Sequence, residues 1–150
     1  MKIKIGFTRE IKPDLVSKGI MFYLGTDYSH VFFILGEWSY HSTGEGVHKV
    51  LLSEYLKTHI LVKEFEIDTA HDENAFLAYM SGAEGKDYGQ MQYLGFIFPS
   101  LQRFVKNGPA KTICSELTSV YLRDYCGKKL LKDPDFMSPK DVFCLLWENE

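Results

Sequence analysis

One residue of the chain stands where a side chain can be activated as a nucleophile. Cys114 lies in the segment 111–122, KTICSELTSVYL, where a short apolar run gives way to helical spacing. Hydrolysis by a cysteine needs a thiolate, a general base beside it and a polar group that orients the base. A cysteine at a helix start meets unpaired N–H groups and the positive end of the helix dipole, and both favour the thiolate. Cys126 falls at the far end of the same segment, where the dipole opposes ionisation. Cys144 stands beside Phe143 and Leu145 in a final helix. Both read as packing residues, a role equally open to Cys114 as a small buried hydrophobe. Glu116 shares the first turn with Cys114, which suits the dipole but competes electrostatically with a thiolate.

The base must come from five histidines: His30, His41, His48, His59 and His71. His30 opens the most apolar strand of the chain, where a polar side chain needs a partner or a task. If Gly36-Glu37 is a two-residue turn, Leu35 faces Trp38 and Phe32 faces His41. His30 and His41 then share a face as diagonal neighbours, about 7–8 Å apart at Cβ or slightly less. A bond between the two rings can close that gap. A four-residue loop keeps the pairing, and an odd-numbered loop sends the rings to opposite faces. His48, His59 and His71 read as solvated surface residues. A zinc site from His30, His41 and His48 lacks both supporting spacing and a fourth ligand, so no metal or other cofactor is expected. The hydrolase reading has one geometric requirement: the Cys114 sulfur and the His30 ring must meet across a helix–sheet junction. It also implies that a thiol probe labels Cys114 before Cys126 and Cys144.

The elements that would hold these residues follow from periodicity. Strands are expected over Lys2–Phe7, Ser29–Leu35, Trp38–Thr43, Val47–Leu51 and Ile60–Ile67. Helices are expected after Pro13-Asp14 (Val16, Ile20 and Leu24 recur), over Ser53–Thr58, Asp72–Ser81 and Cys114–Tyr125, and from Ser138-Pro139 through Trp147. Gly82–Gly89 and Arg103–Lys111 read as loops, and Tyr93–Phe98 is ambiguous between helix and strand. Strands early and helices mostly flanking make an α+β domain.

The chain of 150 residues, 45% hydrophobic and 25% charged, suits a single packed domain over residues 1–150. Net charge is −3 with the signs interspersed, which gives no electrostatic footprint for nucleic acid. No apolar run is long enough to span a bilayer, and the N-terminus lacks the pattern of a signal peptide. Three cysteines without Cys-x-x-Cys spacing argue against a disulfide framework, so the compartment expected is a reducing cytoplasm. The partner expected is a small-molecule, peptide or acyl substrate, with oligomeric state left open.

Several pieces occur in an order that resembles a known family. They are Tyr28-Ser29-His30-Val31, His41 on the following strand, Gly46-Val47, Gly85-Lys86-Asp87-Tyr88, Ile113-Cys114-Ser115-Glu116-Leu117 and Ser138-Pro139-Lys140-Asp141. They are similar to the circularly permuted papain-like hydrolases of the NlpC superfamily, which includes the lecithin–retinol acyltransferase-like enzymes. The likeness spans roughly Tyr28 to Asp141. It implies a nucleophile-bearing helix packed on a central antiparallel sheet. Cys114 would be the nucleophile, His30 the general base and His41 the orienting third residue. The Cys114 backbone N–H would serve the oxyanion, with a further hydroxyl from Tyr28. The activity implied is cleavage of an amide bond through a thioester, in a cell-wall peptide or another small amide. Acyl transfer or thioester cleavage on a lipid-like acyl group, or a non-catalytic module on the same fold, are the alternatives. The N-terminal Lys-Pro-Asp-Leu-Val departs from the Pro-Gly-Asp opening common in the family.

Overall fold

The computed structural model describes residues 1–43, 46–83, 87–88 and 111–148. The elements are β1 (Lys2–Glu10), α1 (Leu15–Leu24), β2 (His30–Leu35), β3 (Trp38–Thr43), β4 (Gly46–Leu51), α2 (Leu52–Tyr55), β5 (His59–Asp68), α3 (Glu73–Ala83), β6 (Asp87–Tyr88), β7 (Lys111–Thr112), α4 (Cys114–Cys126), a 3-10 turn at Pro134–Phe136 and α5 (Pro139–Trp147). The chain is an α+β structure with a five-stranded antiparallel sheet, ordered β4-β3-β2-β1-β5, and flanking helices. β6 and β7 form a separate two-stranded parallel pair.

Alternation divides the sheet into two faces. Ile3, Ile5 and Phe7 of β1, Val31 and Phe33 of β2, Tyr40 of β3, Val47 of β4 and Phe65 and Ile67 of β5 join one apolar cluster. The helices complete it with Phe76 and Met80 from α3, Leu117, Tyr121 and Leu122 from α4, and Val142, Leu145 and Leu146 from α5. The other face carries His30 and Phe32 of β2, His41 of β3 and Gly6 and Thr8 of β1. It is also closed to water, since Phe32, His41 and Thr8 are all buried. Gly6 is required there, because a Cβ on it would sit 2.7 Å from the Phe32 ring.

The β2–β3 turn is the two-residue Gly36-Glu37 connection. Gly36 has φ +60° and Glu37 has an ordinary negative φ, the type II′ arrangement whose twist suits a hairpin. It sets Leu35 against Trp38, Ile34 against Ser39 and Phe33 against Tyr40, where the ladder ends. β2 continues alongside β1, with Val31 opposite Phe7 and His30 opposite Thr8, while β3 continues with β4.

Most elements fall where periodicity put them. β1 runs three residues past the expected Phe7, because it gains a partner on each side, β2 and β5. α2 begins and ends earlier than expected, and α3 passes Gly82 to end at Ala83. Asp87 and Tyr88, expected in a loop, pair with Lys111 and Thr112, a contact 24 residues away in sequence that no local pattern announces. The expectations for Tyr93–Phe98 and for residues 103–110 lie outside the described residues. No helix among the described residues is long and apolar enough to cross a membrane.

Candidate active site

Cys114 is the first residue of α4, with Ile113 extended before it as the N-cap. The helix forms because Cys114, Leu117, Thr118, Tyr121 and Leu122 recur on one buried stripe, and it stops at Gly127 in the left-handed conformation. Ile113 makes no side-chain cap hydrogen bond, and the Cys114 and Ser115 N–H groups of the first turn bear on the sulfur.

The rings of His30 and His41 meet. His30 Nε2 lies 3.0 Å from His41 Nδ1, and the ring planes are within 15°. The hairpin parity argued from sequence therefore describes their placement. The bond spans β2 and β3 just beyond Phe33–Tyr40, where the backbone ladder has stopped. With the proton on His30 Nε2 donated to His41, His30 Nδ1 is left with its lone pair, the form a general base requires. His41 then carries its own proton on Nε2, a buried atom with no hydrogen-bond partner. Burial drives the acidity of both rings in one direction: each is held below the ordinary histidine range. For His41 the positive charge a protonated His30 would carry adds to the effect. The pair is therefore neutral at physiological pH.

Cys114 is 1% exposed. Burial pushes its thiol up to about 11, against the backbone N–H groups of Val31, Ser115 and Cys114 itself, which lower it. In this structure desolvation outweighs the helix start, and the resting group is a thiol. The Val31 amide is the next peptide after His30. The sulfur thus reaches the beginning of β2 from the helix side, while the histidine pair lies on the other face of that strand. The His30 ring makes its hydrogen bond to His41 and none to Cys114. The expected meeting of sulfur and imidazole is therefore not made in this structure: the two side chains flank the start of β2 from opposite faces. The expected labelling order also changes, because Cys126 and Cys144 are only half-buried and free.

Tyr28 packs in the apolar core. Its ring stacks on Phe143 at 5.1 Å and meets Phe7 edge-on at 5.1 Å. The groups that bear on its hydroxyl are Cys144, Asp27 and Asp141, with burial the first cause of its raised pKa. It is not brought to the histidine pair. Alternation could not foresee this, since Tyr28 precedes the strand.

Tyr55, which the sequence did not single out, is brought there instead. Its ring lies 4.2 Å from His41, 5.2 Å from Phe32 and 6.5 Å from His30, and its hydroxyl is bonded to Thr8 Oγ1 at 2.9 Å. Burial leads in raising its hydroxyl pKa, and a charge on Cys114 adds to it.

Two histidines expected on the surface also converge here. His48 stands directly across from His41 on β4, with ring centroids 5.8 Å apart. His59 stacks on Tyr55 at 3.9 Å and 13°. His71 is elsewhere, half-buried edge-on to Tyr125. Among the described residues no three His, Cys, Asp or Glu side chains form a metal-holding group. Comparison of the chain with protein-family models, with curated proteins and with solved structures found no match.

Proposed function

We propose that the chain is a cysteine hydrolase of permuted papain-like architecture that cleaves amide bonds through a thioester. The observation that carries the proposal is the 3.0 Å bond between His30 Nε2 and His41 Nδ1, at the start of the strand whose Val31 amide reaches the sulfur of a helix-start cysteine. That bond leaves one nitrogen of a neutral imidazole free as a base and gives the other a fixed partner, as base–orienter pairs require. The motif order resembling the NlpC superfamily agrees with the same three residues in the same roles.

In this mechanism the His30 ring must swing round the start of β2, where it is the first residue, to bring Nδ1 to the sulfur. The imidazole takes the thiol proton as the sulfur attacks the substrate carbonyl. Charge developing on the carbonyl oxygen meets N–H groups of the α4 first turn. Collapse expels the amine, which receives the proton back from His30, and leaves an acyl group on Cys114. Water, deprotonated by the same ring, then releases the acid. His41 holds the His30 ring and spreads its transient charge. Because the thiol starts neutral, proton transfer accompanies attack and no standing thiolate–imidazolium pair is needed. The same residues serve thioester cleavage or acyl transfer if the substrate is a lipid-like acyl group.

A second reading is favoured by one observation. A sulfur that is 1% exposed with its pKa pushed up to about 11 is also what a packing cysteine in a non-catalytic module would show. The two readings separate in one experiment. Treated with p-nitrophenyl acetate, a small activated ester, the protein should gain one acetyl group on Cys114 by intact mass and peptide mapping. His30→Ala should slow that acylation by about 10²–10⁴-fold. Acetylation that spares Cys114, or that reaches it at a rate indifferent to His30, would establish the packing reading.

A further inference from the structure

The register of β5 contains one irregularity, and it falls beside the candidate site. β5 pairs regularly with β1 from Asp68 opposite Lys2 to Lys63 opposite Phe7; the next pair is Leu61 opposite Thr8, so Val62 is skipped. Before the bulge, Phe65 and Ile67 lie on the helix-covered face. A regular strand would send His59 to that face as well, since it is an even number of residues from both. The extra residue reverses the parity, and His59 stands opposite Glu10, two residues on from Thr8, on the face that holds His30 and His41.

There His59 meets Tyr55. The centroids are 3.9 Å apart at 13°, and His59 Nδ1 also reaches the Tyr55 carbonyl oxygen at 3.2 Å. Tyr55 in turn contacts His41 at 4.2 Å. Two rings this close to a third cannot share one of its faces, so His59 and His41 take opposite sides of Tyr55. The Tyr55 hydroxyl is tied to Thr8, the residue paired with His30 across β1 and β2. Phe32, at 4.6 Å from His41, supplies the other wall. The His41 ring therefore sits in a notch between Phe32 and Tyr55, and the bulge supplies the ring that backs Tyr55.

We infer that Tyr55, backed by the bulge-directed His59, is a positioning residue that fixes the His41 ring and through it the His30–His41 hydrogen bond. Its contribution to turnover rests on the hydrolase reading. Its contribution to the imidazole pair does not.

The bond itself is measurable. In ¹⁵N-labelled protein at neutral pH, a nitrogen–nitrogen coupling across the hydrogen bond reports His30 Nε2 and His41 Nδ1 directly. The coupling is expected in the unsubstituted chain and in Tyr55→Phe, which keeps the ring. It is expected to vanish in Tyr55→Leu and to weaken in His59→Ala, which leaves the buried residues in place. Acetylation of Cys114 should fall by about a hundredfold in Tyr55→Leu, as for a misplaced reacting group. A folded Tyr55→Leu protein that keeps the coupling overturns the inference. If that variant does not fold, an unchanged coupling in His59→Ala overturns it. Loss of the coupling in a protein whose Cys114 is inert throughout would sustain the positioning role and remove the hydrolase reading. Unchanged coupling beside an active Cys114 would do the reverse.

Discussion

His41 joins two demands that usually conflict. It is 1% exposed, its Nδ1 accepts from His30 and its Nε2 has no partner. Charging it in place means adding a proton to a buried ring beside another imidazole, so its folded pKa lies below the ordinary value of about 6.5. A folded pKa below the unfolded one gives stability that is present above about pH 6.5 and lost as pH falls. His30 acts with the same sign. For His41 the loss is about 1.4 kcal/mol for each pH unit below that point. Urea midpoints at pH 7 and pH 5 should show the steep drop, and His41→Asn should flatten it. An equal drop in both proteins would mean that His41 can charge without penalty. At this scale the sequence was informative about Cys114, His30 and His41, because residue type and strand parity are local. It read His48 and His59 as solvated surface residues, whereas they pack on His41 and Tyr55. Their place depends on a cross-strand partner and on a one-residue bulge, neither of which leaves a periodic trace.

Among the elements, the β2–β3 hairpin governs the site. The two-residue turn sets the parity that puts His30 and His41 on one face. Parity makes a sharp prediction. Adding one residue between Gly36 and Glu37 should send His41 to the opposite face and abolish both the inter-ring coupling and acetylation of Cys114. Adding two residues should restore both, although the loop is longer still. A graded decline with loop length, in place of this alternation, would show that turn parity does not set the pair. The hairpin was legible because Gly36-Glu37 stands between two apolar runs. α2 was legible as a helix, but its closure over the sheet face was not. That closure depends on Tyr55 finding Thr8, 47 residues away. The β6–β7 pairing is long-range for the same reason.

At the scale of the whole molecule, the three cysteines report how closed the site is. Cys114 is buried, while Cys126 and Cys144 are half-buried. A bulky maleimide applied to the folded protein should modify Cys126 and Cys144 first and Cys114 last, with peptide mapping as the readout. In denaturant the three rates should converge. Early modification of Cys114 would show that the site opens without a substrate. The sheet order β4-β3-β2-β1-β5 places the His30-bearing strand third of five. The site is therefore framed by both β1 and β3 and does not lie on an edge. Periodicity suggested the number of main strands, and the family resemblance their antiparallel sense. The insertion of β1 between β2 and β5 was not readable, since strands of similar hydrophobicity carry no address for their neighbours.

β2 and β3 part company after Phe33 and Tyr40, and past that point two aromatic side chains span the seam where peptide groups no longer do. Such a joint behaves as a rivet. Pulled apart from the open end, the two strands would load the imidazole pair before the ladder bonds at Phe33 and Tyr40. The same hardware would then set both the reactivity of the sulfur and the mechanical toughness of the seam, so a variant selected for one would carry a change in the other.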